Sequence, residues 1–260
     1  MLFVRHCCAA LALISLLAVP EAARAGAWLQ DKGQGQIISS VTVSRAGRSF
    51  DETGEAHAAP EFRKEDYEIY AEYGLCSRLT AVFDTRLTTL HPDEPAPSLT
   101  GFAETQLGIR GALWRKKAGI FSLQATLLFP GDSVLTSGGL DAEIRGLYGV
   151  GFRFGRMTGF IDSEVAYRKR AHGFRDELRP ETTIGLRPSP RWLLLAQSFN
   201  VVTVGSGKTD VFEGEQDKIE LSAVFALTPR VSVQLGGLGT VGGINVPAER
   251  AVVSALWLSF

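Results

Sequence analysis

The sequence has few cysteines, and it lacks a long apolar run after its beginning. Only three of its 260 residues are cysteine, and two of these, Cys7 and Cys8, stand near the start of the chain. Without that region only Cys76 remains, which excludes an internal disulfide. Beyond the first twenty residues, no run is long enough for a transmembrane helix. A membrane protein without such helices has to be a closed barrel, because lipid offers no partner to open backbone groups.

An excess of charge of one sign is also missing. The chain has 27 basic and 28 acidic residues, for a net charge of −1. Proteins that bind nucleic acid carry a basic surface, so a nucleic-acid partner is not expected. Apolar residues make up 45% of the chain, which argues against disorder.

Residues Met1–Ala25 have the features of an export signal. Arg5 and His6 precede the apolar stretch Cys7–Val19, and Ala23-Arg24-Ala25 is a small-x-small cleavage site. Cleavage after Ala25 would remove two basic residues and one acidic residue, so that Gly26 starts a mature chain of net charge −2. A buried N-terminal helix is the alternative interpretation of this segment.

The end of the chain alternates between apolar and polar positions. Phe260, Leu258, Leu256, Ser254 and Val252 share one face, and four of these five residues are apolar. Period two over nine residues predicts a strand with one apolar face, of about the length that crosses a membrane. A terminal Phe on such a strand resembles the closing strand of bacterial outer-membrane β-barrels. The resemblance implies that the barrel-assembly machinery is a partner, and that Phe260, Leu258 and Leu256 form its recognition signal.

Eleven further segments show similar alternation, which makes about twelve strands. The predicted strands are Gln34–Arg45, Asp66–Leu75, Leu79–Thr89, Phe102–Arg115, Ile120–Phe129, Asp141–Gly155, Gly159–Lys169, Glu177–Arg187, Arg191–Val204, Glu215–Leu227, Val231–Thr240 and Arg250–Phe260. The phase of Arg191–Val204 is unclear, because Gln197 falls on one face and Ser198 on the other. The sequence predicts an all-β fold for residues 26–260, a transmembrane antiparallel up-and-down β-barrel.

The predicted connections alternate in length, as expected for an outer-membrane barrel. Short turns are centred on Ser77, Lys116-Lys117, Met157, Ser189 and Pro229. The long connections are Ala46–Lys64, His91–Gly101, Pro130–Leu140, Arg170–Asp176, Gly205–Gly214 and Val241–Glu249. We call the two ends of the predicted barrel the turn end and the loop end.

Aromatic residues on the apolar faces fall into two bands, as expected where rings sit at headgroup level. Tyr73, Phe121, Phe152, Phe154, Phe225 and Phe260 are predicted to point outward near the turn end. Tyr67, Phe129, Tyr167 and Phe199 are assigned to the band near the loop end.

The opposite faces carry charges of both signs, which a barrel would turn toward its lumen. The predicted lumen-lining residues are Glu68, Glu72, Asp84, Arg86, Glu104, Arg110, Glu143, Arg145, Arg153, Asp162, Glu164, Arg168, Arg179, Glu181, Arg187, Lys218 and Glu220, together with Asp141. Buried charges must be paired or hydrated. The lumen is therefore predicted to be either a narrow charged pore or a closed lattice of salt bridges. For a pore, the near-balance of signs predicts weak ion selectivity, unless one sign lines the constriction.

Signs of catalysis are weak. Some outer-membrane barrels of similar size are lipid-modifying enzymes that use a serine and a histidine on the outward face. After the export signal the chain keeps His57, His91 and His172, and none has a serine two residues away. Gly205–Thr209 lacks the first glycine of a phosphate loop, since position 202 is Val202. Gly237–Gly242 is not followed by a helix, as a dinucleotide fingerprint requires. We expect no catalytic residues, metal or cofactor.

The whole mature chain thus resembles a small-porin type of outer-membrane barrel. The first hypothesis is passive diffusion of small polar solutes across the outer membrane of a Gram-negative bacterium, with outer-membrane lipid around the barrel. The second is a closed structural or adhesive barrel with Ala46–Lys64 as its contact surface. The third is a lipid-modifying enzyme.

Overall fold

The structure, a computed structural model, describes residues 26–93, 97–116, 119–132, 135–136, 138–208 and 214–260. The predicted export signal Met1–Ala25, Lys117 of one predicted turn and Thr209 of the rejected phosphate-loop string lie outside the described residues. No helix in the described part of the chain has the length and apolarity needed to cross a bilayer.

Twelve long strands run alternately up and down. They are β1 Gly35–Phe50, β2 Ala56–Cys76, β3 Leu79–Pro92, β4 Leu99–Lys116, β5 Gly119–Pro130, β6 Asp141–Phe154, β7 Met157–Lys169, β8 Asp176–Ser189, β9 Trp192–Val204, β10 Glu215–Ala226, β11 Val231–Ile244 and β12 Arg250–Ser259. One 3₁₀ turn, Ala171–Gly173, lies between β7 and β8. The prediction of a twelve-stranded antiparallel barrel is confirmed.

The sheet closes on itself between its first and last strands. β1 pairs with β2 on one side and with β12 on the other, so Gln36 lies opposite both Glu72 and Ser259. Each of the other strands pairs antiparallel with its neighbours in sequence. Gly35 and Phe260 exchange two backbone hydrogen bonds, of 2.8 and 3.0 Å, at the turn end of this seam. The ladder is therefore continuous around the ring, the condition under which strands can enter lipid.

The prediction of a loop over Ala46–Lys64 is wrong for most of that segment. β1 continues to Phe50 and β2 begins at Ala56, so the two strands form an extended hairpin. The Asp51 carboxylate accepts hydrogen bonds from the backbone N–H groups of Thr53 (2.8 Å) and Glu55 (3.1 Å), which closes the turn. The glycine, proline and acidic residues of this segment predicted a loop. In the structure they are accommodated within the hairpin, because the strand register shifts near Gly47 and pairing between β1 and β2 then resumes.

The predicted connection Val241–Glu249 is also shorter than expected. β11 runs to Ile244, and the two-residue extended segment Val246–Pro247 pairs with Ser49 and Phe50 at the loop end of β1. The glycine-rich string Gly237–Gly242 lies within β11, in agreement with its rejection as a nucleotide-binding motif.

The two faces of each strand differ in the way that the alternation predicts. On β10, Ile219 and Leu221 are 44% and 62% exposed on the outside, whereas Glu220 and Ser222 are buried within the barrel. Large apolar side chains on the outside and polar ones inside are the reverse of a water-soluble domain. This arrangement suits a barrel surrounded by lipid.

Candidate functional site

The polar strand faces enclose a lumen that holds a cavity of about 1100 Å³. Most of the predicted lumen residues line this cavity: Glu68, Glu72, Asp84, Arg86, Arg110, Glu143, Arg145, Asp162, Glu164, Arg179, Glu181, Arg187, Lys218 and Glu220. The cavity lining also includes Arg230 at the turn end and Lys64 and Glu249 at the loop end. The cavity therefore runs the length of the lumen.

Four of the predicted lumen residues, Glu104, Asp141, Arg153 and Arg168, lie away from the cavity lining. Glu104 and Arg168 bind each other at 2.5 Å, and Arg168 also binds Asp141 at 2.6 Å. Arg153 is exposed near the end of β6 that faces the short turns. A role in solute passage stays a prediction for all of the predicted lumen residues.

Arg145 is the centre of one ion cluster in the wall. Its guanidinium on β6 lies 3.0 Å from Glu143, 2.6 Å from Glu164 on β7 and 2.9 Å from Glu181 on β8. These contacts join three strands across the inner face. Removing one partner of such a buried pair leaves an uncompensated charge, which costs about 3–5 kcal/mol.

The residues before β1 enter the lumen, and we call Gly26–Lys32 the lumen segment. The backbone N–H of Gln30 donates to Thr80 Oγ1 at 2.9 Å, and its side-chain amide donates to Glu72 at 2.8 Å. Ser122 Oγ donates to the carbonyl of Ala27 at 2.7 Å. These contacts fix the segment against the inner wall and narrow the lumen. The alternation in the sequence predicts a first strand from Gln34 onward and does not predict this placement.

Arg110 ties the lumen segment to the wall. Its guanidinium lies 2.8 Å from a Glu72 carboxylate oxygen and donates to the side-chain carbonyl of Gln124 at 3.0 Å. It also donates to the carbonyls of Gly26 and of Trp28, the latter at 3.3 Å. Arg110 is 3% exposed, so these bonds form in a low-dielectric interior where they are strong.

Trp28 anchors the lumen segment through apolar contacts. Its ring meets Phe160 edge to face, with centroids 5.9 Å apart. Phe160 is packed in turn with Leu193, Leu195 and Val224 inside the barrel. The Trp28 indole also lies against the backbone of Gly149, where an added Cβ would come within 2.5 Å of the ring. Glycine is required at this close approach.

The apolar interior explains the ambiguous phase of β9. Trp192 and Leu194 face outward at 44% exposure each, whereas Leu193 and Leu195 are buried toward the lumen. Both faces of this part of the strand are therefore apolar, and period two is lost. The assignment of Phe199 to the outward aromatic band is wrong, since this ring lines the cavity. Phe199 lies opposite Glu181 and Lys218, both of which face inward.

The loop end of the lumen contains a clamp of three charges. Lys64 and Lys218 each lie 2.8 Å from an oxygen of Glu249, which precedes β12. Burial alone would raise the pKa of Glu249, but the two ammonium groups lower it to about 2. The carboxylate thus stays charged and holds β2 and β10 to the chain that enters the last strand.

The turn end is basic, in contrast to the near-neutral chain as a whole. Exposed cations on or beside the short turns are Arg78, Arg115, Lys116, Arg153, Arg156, Arg191 and Arg230. No salt bridge joins any of them to an acid within the described residues. The prediction of weak selectivity holds unless one sign lines the constriction, and the balanced composition does not show that cations gather at one mouth.

Aromatic rings mark both ends of the outer face. Tyr73, Phe121, Phe154 and Phe260 are exposed near the turn end, and Trp114, Tyr148 and Trp192 join them. Tyr67, Phe129 and Tyr167 are exposed near the loop end. The predicted band did not include these three rings. Trp114 and Trp192 lie next to turns, where the alternation is hard to follow, whereas Tyr148 lies within β6.

The structure places one histidine beside a serine. His91 Nδ1 lies 2.8 Å from Ser98 Oγ, and its Nε2 lies 4.0 Å from Glu65. At 4.0 Å the Glu65 oxygen is beyond hydrogen-bond distance of the ring, and the same oxygen lies 2.6 Å from Arg63. His57 lies 2.9 Å from Asp51, and His172 lies in the 3₁₀ turn with φ of 56°. No cluster suited to a metal ion occurs among the described residues.

The closed ring, the apolar outer face and the polar lumen define the class as an outer-membrane type of β-barrel. The COG4313 outer membrane channel from Pseudomonas putida F1 is similar with a TM-score of 0.69 and 12% identity, over 92% of this chain and 100% of that chain. The NanC porin is similar with a TM-score of 0.56 and 8% identity, over 85% and 98%. LpxR from Salmonella typhimurium has a TM-score of 0.50 and 9% identity, over 85% and 99%.

Comparison with protein-family models gives no match, and neither does comparison with curated protein sequences. At such low identities the structural likeness establishes the fold alone. A channel, a porin and LpxR share this fold, so the function has to be argued from the residues of this chain.

Proposed function

We propose that the protein is a narrow passive channel for small polar solutes in the outer membrane of a Gram-negative bacterium. The observation that carries this proposal is one continuous cavity, whose lining reaches from Arg230 at one end of the barrel to Lys64 and Glu249 at the other. Its wall is rich in charged and amide side chains, which suit water and hydrated solutes. In this proposal the turn end faces the periplasm.

The lumen segment sets the expected size of the passage. It occupies part of the lumen on the side of Thr80, Ser122 and Gly149, while the cavity follows the remaining wall. Twelve-stranded barrels lie between small filled barrels and open porins. We therefore expect conductance steps that are small for a barrel of this size.

Single-channel recording in planar bilayers tests the proposal. The intact mature chain should give small steady steps, and a variant without residues 26–32 should give larger ones, because the deletion empties part of the lumen. Glu220→Gln should change the ion selectivity, since this carboxylate faces the cavity. If both the intact and shortened barrels are folded and silent, the channel proposal fails, and a closed structural or adhesive barrel becomes the better hypothesis.

A second candidate function is lipid hydrolysis at the loop end, which the contact between Ser98 and His91 favours. A histidine within hydrogen-bond reach can activate a serine as a nucleophile. His91 continues the outward alternation of β3, and Glu65 lies nearby at 4.0 Å. Release of fatty acid from outer-membrane lipid, measured with and without calcium and with Ser98→Ala, tests this candidate. Equal release by the intact protein and Ser98→Ala would exclude it.

A further inference from the structure

A buried carboxylate beside the lumen segment has one oxygen without a partner. Asp162 on β7 is 2% exposed. Its Oδ2 accepts a hydrogen bond of 2.6 Å from the backbone N–H of Ala27. Its Oδ1 has no hydrogen-bond partner among the described residues. Burying a carboxylate oxygen without a partner is costly.

The charges around Asp162 leave a deficit of cations. Arg145 forms salt bridges with three acids, Glu143, Glu164 and Glu181. Arg179 lies 3.8 Å from Glu143. Two guanidiniums thus face three carboxylates. Asp162 forms no salt bridge within the described residues and brings the local sum to −2.

The Arg110 guanidinium does not remove this deficit. It lies near the lumen segment, but Glu72 is paired with it at 2.8 Å. Its hydrogen bonds to the Gly26 and Trp28 carbonyls are directed at neutral oxygens. The site therefore calls for one more cation on the side of Asp162.

Gly26 is positioned to supply that cation. A Cβ placed on Gly26 would come within 2.3 Å of the Asp162 carboxyl carbon, so the α-carbon packs directly against the carboxylate. Three covalent bonds, about 4.3 Å in total length, separate the nitrogen of Gly26 from the Ala27 nitrogen that donates to Asp162. Gly26 also has φ of 64°, which favours glycine.

We propose that Asp162 forms a binding site for a primary ammonium group, and that its ligand is the chain's own amino terminus. Hydrolysis of the predicted Ala25–Gly26 bond leaves a carboxylate on the released segment and an amine on Gly26. This amine takes up a proton at neutral pH and becomes an ammonium. The ammonium then donates to Asp162 Oδ1 and offsets part of the negative charge. Removal of the export signal would thus complete the site that holds the lumen segment.

The inference rests on cleavage after Ala25 and does not depend on conduction through the lumen. The mass of the mature chain purified from outer membranes should correspond to residues 26–260. A different start would overturn the proposal and would leave the channel hypothesis untouched.

Reactivity of the terminal amine tests the contact itself. In the folded barrel an amine-reactive reagent should label Gly26 slowly, because the ammonium is buried and paired. Asp162→Asn should raise the labelling rate by about tenfold, which corresponds to roughly 1.4 kcal/mol. Glu220→Gln is the matched control, since Glu220 is a buried lumen acid bound to Gln234. Equal rates in the folded wild type, Asp162→Asn and Glu220→Gln would overturn the proposal.

A second measurement covers the case in which Asp162→Asn does not fold. The chain from Gly26 onward is refolded in detergent with a free or an acetylated amino terminus, and trypsin then cuts after the exposed Lys32. The free-amine segment should leave the barrel about tenfold more slowly than the acetylated one, again roughly 1.4 kcal/mol. Equal release rates would contradict a role for the ammonium.

Discussion

Single residues decide how closely the lumen segment can pack against the wall. Gly149 receives the Trp28 indole, and an added Cβ would meet it at 2.5 Å. Gly151, two residues farther along the same face of β6, has only one neighbour within reach, a carbonyl at 3.9 Å. The two glycines therefore offer a matched comparison.

We predict that Gly149→Ala displaces Trp28 and loosens the lumen segment, while Gly151→Ala does not. The displaced indole loses its edge-to-face contact with Phe160, which is worth about 0.5–1.5 kcal/mol beyond the buried area. Trypsin cleavage after Lys32 should release the segment faster from Gly149→Ala than from the wild type. Equal release from the two glycine variants would contradict this account of Trp28.

At the loop end, Asp51 determines how the stability of the turn between β1 and β2 depends on pH. Its pKa is lowered from 3.8 to about 2, mainly by the hydrogen bond from the Thr53 hydroxyl, with further bonds from backbone N–H groups and His57. Because the folded pKa is depressed, the stabilisation is present above about 3.8 and is lost as the pH falls through about 2.

A titration of the Asp51 carboxyl followed by NMR checks this prediction. The midpoint should lie near 2 in the wild type and move toward 3.8 in Thr53→Val, which lacks the hydroxyl donor. An unchanged midpoint in Thr53→Val would assign the shift to the other donors.

The faces of a strand, more than any single residue, determine whether the chain suits lipid. Ile219 points outward on β10 and Glu220 points into the lumen. We predict that Ile219→Arg destabilises the inserted barrel by about 2–4 kcal/mol, the cost of a basic side chain near the bilayer midplane. Glu220→Gln should change the stability by less than about 1.5 kcal/mol, because hydrogen bonds to Gln234 and Ser222 remain possible. Denaturant unfolding from lipid vesicles measures both, and exchanged effects would mean that the faces are wrongly assigned.

The last strand gives a second prediction at this scale. The Phe260 ring lies where a Cβ on Gly35 would approach within 2.5 Å, and it stacks on Tyr73 with centroids 6.5 Å apart. We expect Phe260→Ala to lower the amount of folded barrel in the outer membrane several-fold, because the resemblance to outer-membrane barrels implies that this residue marks the closing strand for the assembly machinery. Phe225→Ala, which removes another ring near the turn end, should have a smaller effect. Equal loss in both variants would remove the special role of the terminal residue.

Sequence periodicity was sufficient for the strands whose two faces meet different surroundings. In β2 the inward Glu68 is followed by the outward Ile69, and in β10 the outward Ile219 is followed by the inward Glu220. Apolar and polar residues alternate there because lipid lies on one side of the strand and the polar lumen on the other. Periodicity was insufficient at β9, where Leu193 and Leu195 pack against Phe160 inside the barrel. It also gave no information on Gly26–Lys32, because a segment held by scattered contacts from several strands has no repeat. A tryptophan and an amide-bearing residue just before the first strand, Trp28 and Gln30, were the available hints.

The whole molecule has an even number of strands, which brings both ends of the ring to the turn end. Cys76 is the cysteine found among the described residues, and it lies at this end as the last residue of β2. We predict that a polyethylene-glycol maleimide too large for porins labels Cys76 only after the outer membrane is opened.

A variant with Cys76→Ser and Thr53→Cys supplies the control, since Thr53 lies in the exposed hairpin turn at the loop end. It should be labelled in intact cells. The opposite pattern in the two proteins would invert the proposed orientation.

The seam between β1 and β12 joins the earliest strand to the latest. Synthesis produces β1 first and β12 last, so the ten strands between them are made before the ring can be closed. A chain that stops short of Arg250 leaves both β1 and β11 with unpaired backbone groups, which neither lipid nor a neighbouring strand satisfies. Only a chain that contains β12 can close the ring. Copies that terminate prematurely should therefore be degraded by periplasmic proteases.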